Sequence, residues 1–360
     1  MIRRSPRDAK RGNWGARVME SDAVRTLSVI QVGAGLWGRS WAEVVNGAPG
    51  FRLSALVDDA AEAREWAGAE LGVPAFRRLG QALRSVDADA VLLVSPPSTH
   101  RPLAEEALAA GLHVVSEKPF ALTLEDARAI ARAGARADRR VMVSQNYRFR
   151  RQSRALQALV SAGSLGRLLG IRVACRRDLR AAWISPRDWR GRMRHPYLLD
   201  MAIHHVDMLR QITGREVALV DARAWRVPDS PFRNEPVVEA LLTLDDGTPV
   251  AYEGTWAATT PQTSWNGDWE LVGERARATW SGGVDDALRG VVHLERYGEG
   301  RKRVALPRLA ALDRLGVLQE LRRAVAEGTQ PETSAEDNLK SLAAILALAR
   351  SADEGRLVRP

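Results

Sequence analysis

Leu27-Ser-Val-Ile-Gln-Val32-Gly33-Ala-Gly35-Leu36-Trp37-Gly38 decides the fold. Its first six residues form a short apolar run that reads as a buried strand. They run into a G-x-G-x-x-G turn, and a helix-like segment from Arg39 to Asn46 follows. Strand, glycine turn and helix in that order form a dinucleotide site. Gly33 permits the tight turn, Gly35 lets a pyrophosphate approach the backbone, and Gly38 lets helix and strand pack closely. The helix start, where Leu36 and Trp37 stand, presents free N–H groups and the positive end of the helix dipole to phosphate.

The next strand agrees. Phe51–Val57 ends at Asp58, twenty residues beyond Gly38. An acid there accepts hydrogen bonds from a ribose 2′-hydroxyl and repels a 2′-phosphate, which favours NAD over NADP. Asp59 and Arg64 lie close by. A helix over Glu62–Leu71 follows, then a buried strand Ala90–Val94 closed by Ser95-Pro96-Pro97. A helix over His100–Ala110 leads to Gly111-Leu-His-Val-Val-Ser-Glu117-Lys118-Pro119-Phe120. The capping-box pattern Thr123-Leu-Glu-Asp126 opens another helix to Ala137, and Val141–Ser144 is one more strand. Strands alternating with helices predict a Rossmann-type, doubly wound parallel sheet. Ser95, Pro96 and Pro97 are either a simple turn or the lining of a nicotinamide site. Pro119 stops the Val114-Val115 strand and biases Lys118 toward extended backbone. Lys118 thus stands at the carboxyl end of a strand, the edge where ligands sit in open α/β sheets.

Beyond Asn146-Tyr147-Arg148-Phe149 the pattern changes. One helix covers Gln152–Ala162. Strands follow at Leu168–Val173, Val217–Val227, Val237–Leu244, Val250–Trp256, Trp269–Val272, Ala276–Trp280 and Val291–Glu295, with a hairpin signal at Asp245-Asp246-Gly247. Few helices interrupt them, so this half is a large, mostly antiparallel, open-faced sheet. Helices return at Leu315–Glu327 and Ser334–Ala352. The expected organisation is a basic tail over 1–25, a dinucleotide-binding domain over 26–146, a substrate and oligomerisation domain over 147–333, and a carboxyl-terminal helix and tail over 334–360.

One helix in the second half carries chemistry: Tyr197-Leu-Leu-Asp200-Met-Ala-Ile-His204-His205-Val-Asp207, stopped by Gly214. Asp200 and His204 are four apart and share a face, with Asp207 nearby, whereas His205 turns away by roughly 100°. Imidazole is suited to moving a proton near neutral pH, and a carboxylate one turn earlier orients it. Asp200 as a mere cap, His204 as a satisfied core histidine and a metal set of His204, His205 and Asp207 are the competing readings. Adjacent histidines diverge on a helix and no other ligand cluster is visible, so no metal is expected. Trp183 and Trp189, just before this helix, are the tryptophans best placed for a pocket wall; others suit a core or a subunit interface.

Composition narrows the class. Cys175 is the only cysteine, which excludes an internal disulfide and fits a reducing cytoplasm. No apolar run approaches the roughly 18 residues of a membrane helix, and charged residues occupy the place of a signal core. The net charge is +9, and residues 1–25 hold seven Arg or Lys against three acids. That tail reads as a disordered extension, or as upstream of a true start at Met19. Nothing beyond it points to nucleic acid.

Taken in order, Gly33–Gly38, Ser95–His100, Gly111–Pro119, Asn146–Phe149, Asp200–Asp207 and Pro331–Asp337 resemble the glucose–fructose oxidoreductase and inositol dehydrogenase family, known as Gfo/Idh/MocA. The resemblance spans residues 26–358. It implies NAD or NADP, a sugar, polyol or related ligand between the two domains, and homodimers or homotetramers formed through the second sheet. It implies Lys118, Asp200 and His204 as the proton-transfer set. It adds His100 and Glu117 to the cofactor site and Tyr147 and Arg148 to the substrate site. This chain has Arg194-His195-Pro196-Tyr197 where many members carry a glycine pair, so inositol or glucose specificity does not transfer. Relatives that use NAD transiently to cleave glycosides, and non-catalytic dinucleotide-binding regulators of the same fold, are the alternative functions.

Overall fold

The computed structural model describes residues 25–179, 189–228, 230–258, 261–282 and 290–360. The basic segment 1–24 and Trp183 lie outside them. From the first half, β1 (Leu27–Val32), α1 (Leu36–Gly47), β2 (Phe51–Val57), α2 (Ala61–Trp66), β3 (Ala75–Phe76) and α3 (Leu79–Ser85) follow in order. Then come β4 (Ala90–Leu93), α4 (His100–Ala109), β5 (His113–Ser116), α5 (Leu124–Ala137) and β6 (Val141–Val143). The strands pair in the order β3-β2-β1-β4-β5-β6, every pairing parallel. Helices cover both faces, which is why β4 is apolar throughout and β1 and β5 are buried along nearly their whole length. The order reverses between β1 and β4, opening a crevice at the strands' carboxyl ends. Thr123 caps α5 as its pattern predicts, with Oγ1 accepting from the Asp126 N–H at 3.1 Å.

The second half contains α6 (Arg151–Ser161), β7 (Leu168–Arg176), α7 (Trp189–Arg192), α8 (Ile203–Thr213), β8 (Val217–Trp225), β9 (Val237–Leu244) and β10 (Pro249–Thr255). It continues with β11 (Asp268–Gly273), β12 (Ala276–Ser281), β13 (Val291–Arg296) and β14 (Gly300–Arg303). These eight strands form one sheet, ordered β14-β13-β12-β11-β7-β10-β9-β8. Only β7 and β10 run parallel. The hairpin at Asp245-Asp246-Gly247 joins β9 to β10, with Gly247 at φ +86°. One sheet face and α6 and α8 share a core containing Trp256, Trp269 and Trp280. The other face is open. A shallow groove of about 810 Å³ there is lined by Arg172, Asp221, Leu241, Glu253 and Arg277, among others.

The chain then returns to the first domain. In α9 (Asp313–Glu327), Val317, Leu318 and Leu321 pack with Trp41 of α1 and with Phe149. This differs from a linear division that puts residues 147–333 in the second domain. In α10 (Ala335–Glu354), Ala335 and Leu342 enter the core beside α5, while Ile345 and Leu348 enter the core beneath the second sheet. Among the described residues no helix is long and apolar enough to cross a membrane.

Candidate active site

The glycine turn is built to leave backbone exposed. A Cβ on Gly33 would stand 2.7 Å from the Val94 carbonyl, and its φ of +99° suits glycine. A Cβ on Gly38 would run into the Gly33 carbonyl. Beneath the turn, the buried Gln31 amide donates to the carbonyls of Gly33 at 2.8 Å and Gly38 at 2.7 Å. Gly35 is different: a Cβ there meets nothing within 4 Å. That space lies where a pyrophosphate must approach the start of α1. Leu36 and Trp37 extend outward beside it, 68% and 43% exposed. Asp58 ends β2, and its carboxylate accepts from the Ala34 N–H at 2.7 Å and the Ala60 N–H at 2.9 Å. A carboxylate has about four lone-pair directions, so acceptor capacity remains for a ribose hydroxyl. The turn, the open space at Gly35 and Asp58 together fit a dinucleotide.

Ser95, Pro96 and Pro97 border the same crevice. Ser95 Oγ bonds Thr99 Oγ1 at 2.7 Å, Pro96 is exposed and Pro97 is buried. His100 does not face it. It is fully buried, with Nε2 3.0 Å from the Ser95 carbonyl and Nδ1 3.1 Å from both the Phe120 carbonyl and Ser116 Oγ. Burial holds it below its ordinary pKa. His100 is therefore a staple between the ends of β4 and β5, and its expected contact with cofactor is corrected. Glu117 is likewise committed: Trp41 Nε1 donates to Oε1 at 2.8 Å and the Lys118 N–H to Oε2 at 3.2 Å. It ties the turn that carries Lys118 to α1.

Lys118 crosses to the second domain. Nζ donates to the Asp200 carboxylate at 2.6 Å and to the Asp200 carbonyl at 2.7 Å. Both side chains are only 13% exposed. Arg190, at the start of α7, reaches the other Asp200 oxygen at 3.5 Å. Burial pushes the Asp200 carboxyl upward, but the charges of Lys118 and Arg190 outweigh it and hold it below the ordinary range. No hydrogen bond joins Asp200 to His204. Leu198–Ala202, which contains Asp200, is a π-type turn leading into α8. Its extra residue per turn removes the four-residue register that an α-helix would give. Asp200 thus orients Lys118, which corrects the expectation that it orients the histidine.

His204 is buried against Tyr147. Their rings stack with centroids 4.1 Å apart and planes within 8°. Its Nδ1 is buried without a hydrogen-bond partner. Burial first, and then the charges of Lys118, Arg150 and His205, push its pKa well below the ordinary value. His205 is spent on structure: Nδ1 accepts from Tyr252 Oη at 2.8 Å and Nε2 donates to the Trp265 carbonyl at 3.0 Å. Burial lowers it to about 4.

Arg148, expected at the substrate, is instead buried in an ionic network. Nε and Nη2 bond the Asp207 carboxylate at 2.5 and 2.8 Å, and Nη2 also reaches Asp337 at 2.6 Å. Asp207 is completed by Ser341 Oγ at 2.7 Å. Trp189 is half-buried with the Arg190 guanidinium 4.2 Å over its ring, which puts it next to the Asp200 pair. Among the described residues no group of three His, Cys, Asp or Glu is placed to hold a metal. Gln31, Trp41, Arg150 and Arg190 were missed. Of these only Gln31 left a signal, as the one amide in an apolar strand.

Residues 27–145 match the family described as "Oxidoreductase family, NAD-binding Rossmann fold", and residues 153–279 match "GFO/IDH/MocA C-terminal domain". The chain is 30% identical over 350 residues to D-apiose dehydrogenase of Paraburkholderia graminis, covering 93% of this chain and 90% of that protein. It is 29% identical to inositol 2-dehydrogenase of Corynebacterium glutamicum, over 64% of this chain and 67% of that protein. The fold is similar to that of aldose-aldose oxidoreductase from Caulobacter crescentus in complex with glycerol. There the TM-score is 0.82 at 23% identity, over 93% of this chain and all of that one. An oxidoreductase from Agrobacterium radiobacter in complex with NAD+, L-tartaric acid and magnesium superposes with a TM-score of 0.81 at 23% identity, over 93% and 98% of the two chains. The glycine turn, the two sheets and these matches agree, and the chain belongs to the Gfo/Idh/MocA family of NAD-binding Rossmann-fold oxidoreductases.

Proposed function

We propose that this oxidoreductase interconverts a secondary alcohol and its ketone on a sugar or polyol, using NAD in preference to NADP. The observation that carries the proposal is the Lys118–Asp200 pair at 2.6 Å, which joins the end of β5 to the entry of α8 beside a neutral His204. D-Apiose, inositol and aldose substrates in the names of relatives support the substrate class. Asp58, with Asp59 beside it, supports NAD, because two acids at the adenosine ribose disfavour a 2′-phosphate.

Each residue has a distinct task. Lys118 has three Nζ hydrogens, and Asp200 takes two of them. The third is left for the reacting oxygen, where the ammonium stabilises the alkoxide that develops. His204, neutral and with Nδ1 unpartnered, takes the hydroxyl proton in the oxidative direction. Asp200 stays ionised, fixes Lys118 and offsets its charge while His204 is protonated. Trp189 forms part of the pocket wall, with Tyr147 behind His204. The glycine turn and Asp58 would hold NAD, which when bound would supply the hydride chemistry.

We assign cofactor binding to residues 26–146, with α9 packed against them, and substrate handling mainly to the remainder of residues 147–333. A second copy of the chain is the proposed cover for the open face, where Leu241 is 63% exposed among paired charges such as Arg172–Glu270 at 2.9 Å. The lone, buried Cys175 suits the cytoplasm. The test is a screen of sugars and polyols with NAD and with NADP, followed by nicotinamide absorbance. Stoichiometric reduction of added NAD by a polyol or aldose is expected. Tight NAD binding with no net turnover on any of them would overturn the proposal.

A further inference from the structure

Arg150 plays no part in the mechanism above, yet it is almost wholly buried next to it. Its Cζ lies 3.3 Å from the centre of the Tyr147 ring. His204 stacks on that same ring at 4.1 Å, nearly parallel. Two groups at those heights cannot share one face, so guanidinium and imidazole sandwich the tyrosine. The guanidinium is fixed from behind. It donates to Asn266 Oδ1 and pairs with Asp313 at 3.6 Å, while Asp313 also accepts from Asn146 Nδ2. A buried cation held over an aromatic face is attracted by the ring quadrupole and restricts the ring's rotation. The next residue, Arg314, donates to Ser40 Oγ at 2.8 Å and lies 4.7 Å over Trp37. The residue next to Asp313 is thus held against α1.

We propose that Arg150 is a positioning residue: pinned by Asn266 and Asp313, it clamps Tyr147 and so sets the plane and the proton affinity of His204. This rests on His204 being the base. The groups that bear on His204 are Lys118, with Asp200 paired to it, from the turn after β5. Tyr147 and Arg150 act from the segment before α6, and His205 from α8 itself. Arg150 adds a positive charge across one ring's thickness, so it disfavours the imidazolium through space and keeps the base unprotonated.

The test is Arg150→Met beside Arg150→Lys, with kcat, KM and the pH profile of kcat/KM measured on the NAD-loaded enzyme. Arg150→Met should lower kcat by about tenfold or more with NAD affinity retained, and move the acid limb up by about one pH unit. Arg150→Lys keeps the charge without the flat plane, so its limb should stay while kcat falls with KM little changed. A folded Arg150→Met variant whose acid limb does not move overturns the proposal, whatever happens to kcat. If that variant does not fold, Arg150→Lys with wild-type kcat overturns it equally. His204→Gln, run in parallel, separates this inference from the base assignment. Should His204→Gln turn over normally, the base assignment fails, and an NMR titration of the His204 ring in Arg150→Met still reports whether Arg150 sets its proton affinity.

Discussion

Lys118 stands between Asp200, which it pairs with, and His204, on which its charge acts. The ammonium is held by Asp200, and its charge helps keep His204 neutral. This has a pH consequence. A base must be unprotonated to accept the hydroxyl proton, so oxidation fails as pH falls through the native pKa of His204. Burial and the cations place that value well below the ordinary one. Asp200 is also depressed, held by Lys118 and Arg190 below the ordinary carboxylate range. The pH profile of kcat/KM for alcohol oxidation should therefore stay level as pH drops through about 6.5, the ordinary histidine value, and bend only below it. An acid limb centred at or above that value would contradict the assignment.

The glycine turn and the π-type turn show how single elements set the site. Gly38 serves packing, since a Cβ would meet the Gly33 carbonyl, whereas the space at Gly35 is empty. Gly38→Ala should destabilise the fold by roughly 1–3 kcal/mol, the usual range for overpacking. Gly35→Ala should leave the melting temperature unchanged and weaken NAD binding by about tenfold or more, a loss of about 1.4 kcal/mol. Calorimetry with a binding titration on both variants checks the contrast, and equal effects in the two assays would refute it. The strand and turn pattern made most of this layer legible. Buried strands such as Ala90–Leu93 are apolar throughout, and the strands of the second sheet pack a core on one face and leave the other open. Four elements were not. β3 has two residues, α7 four and α3 seven, too few to show a period, and β14 is Gly-Arg-Lys-Arg, an exposed edge held by pairing to β13 rather than by burial. The π-type turn was also invisible, because Leu198–Ala202 has the composition of an ordinary helix. For that reason Asp200 was expected on the face of His204 and is found on Lys118.

At the scale of the molecule, the site is an agreement between two sheets, enforced by the carboxyl-terminal helices. α10 enters both cores, and its Asp337 reaches Arg148 at 2.6 Å and Arg210 at 2.8 Å. Breaking a buried network of this kind by removing one partner typically costs about 3–5 kcal/mol. A charged residue in a motif next to the site reads as a ligand contact, whereas Arg148 is buried in this network. Its partners Asp207 and Asp337 are 59 and 189 residues away, beyond any local pattern. The pair Lys118–Asp200 spans 82 residues and is the one side-chain bond on which the mechanism depends. The most direct test is the kcat of Lys118→Ala, Asp200→Asn and the double variant, on a substrate the wild type oxidises and with NAD affinity measured alongside. Lys118→Ala should lose roughly 10²- to 10⁴-fold in kcat while still binding NAD. The double variant should be about as slow as Lys118→Ala alone, because residues acting as one unit are not additive. Near-normal turnover by Lys118→Ala, or losses that multiply in the double variant, would contradict a shared site.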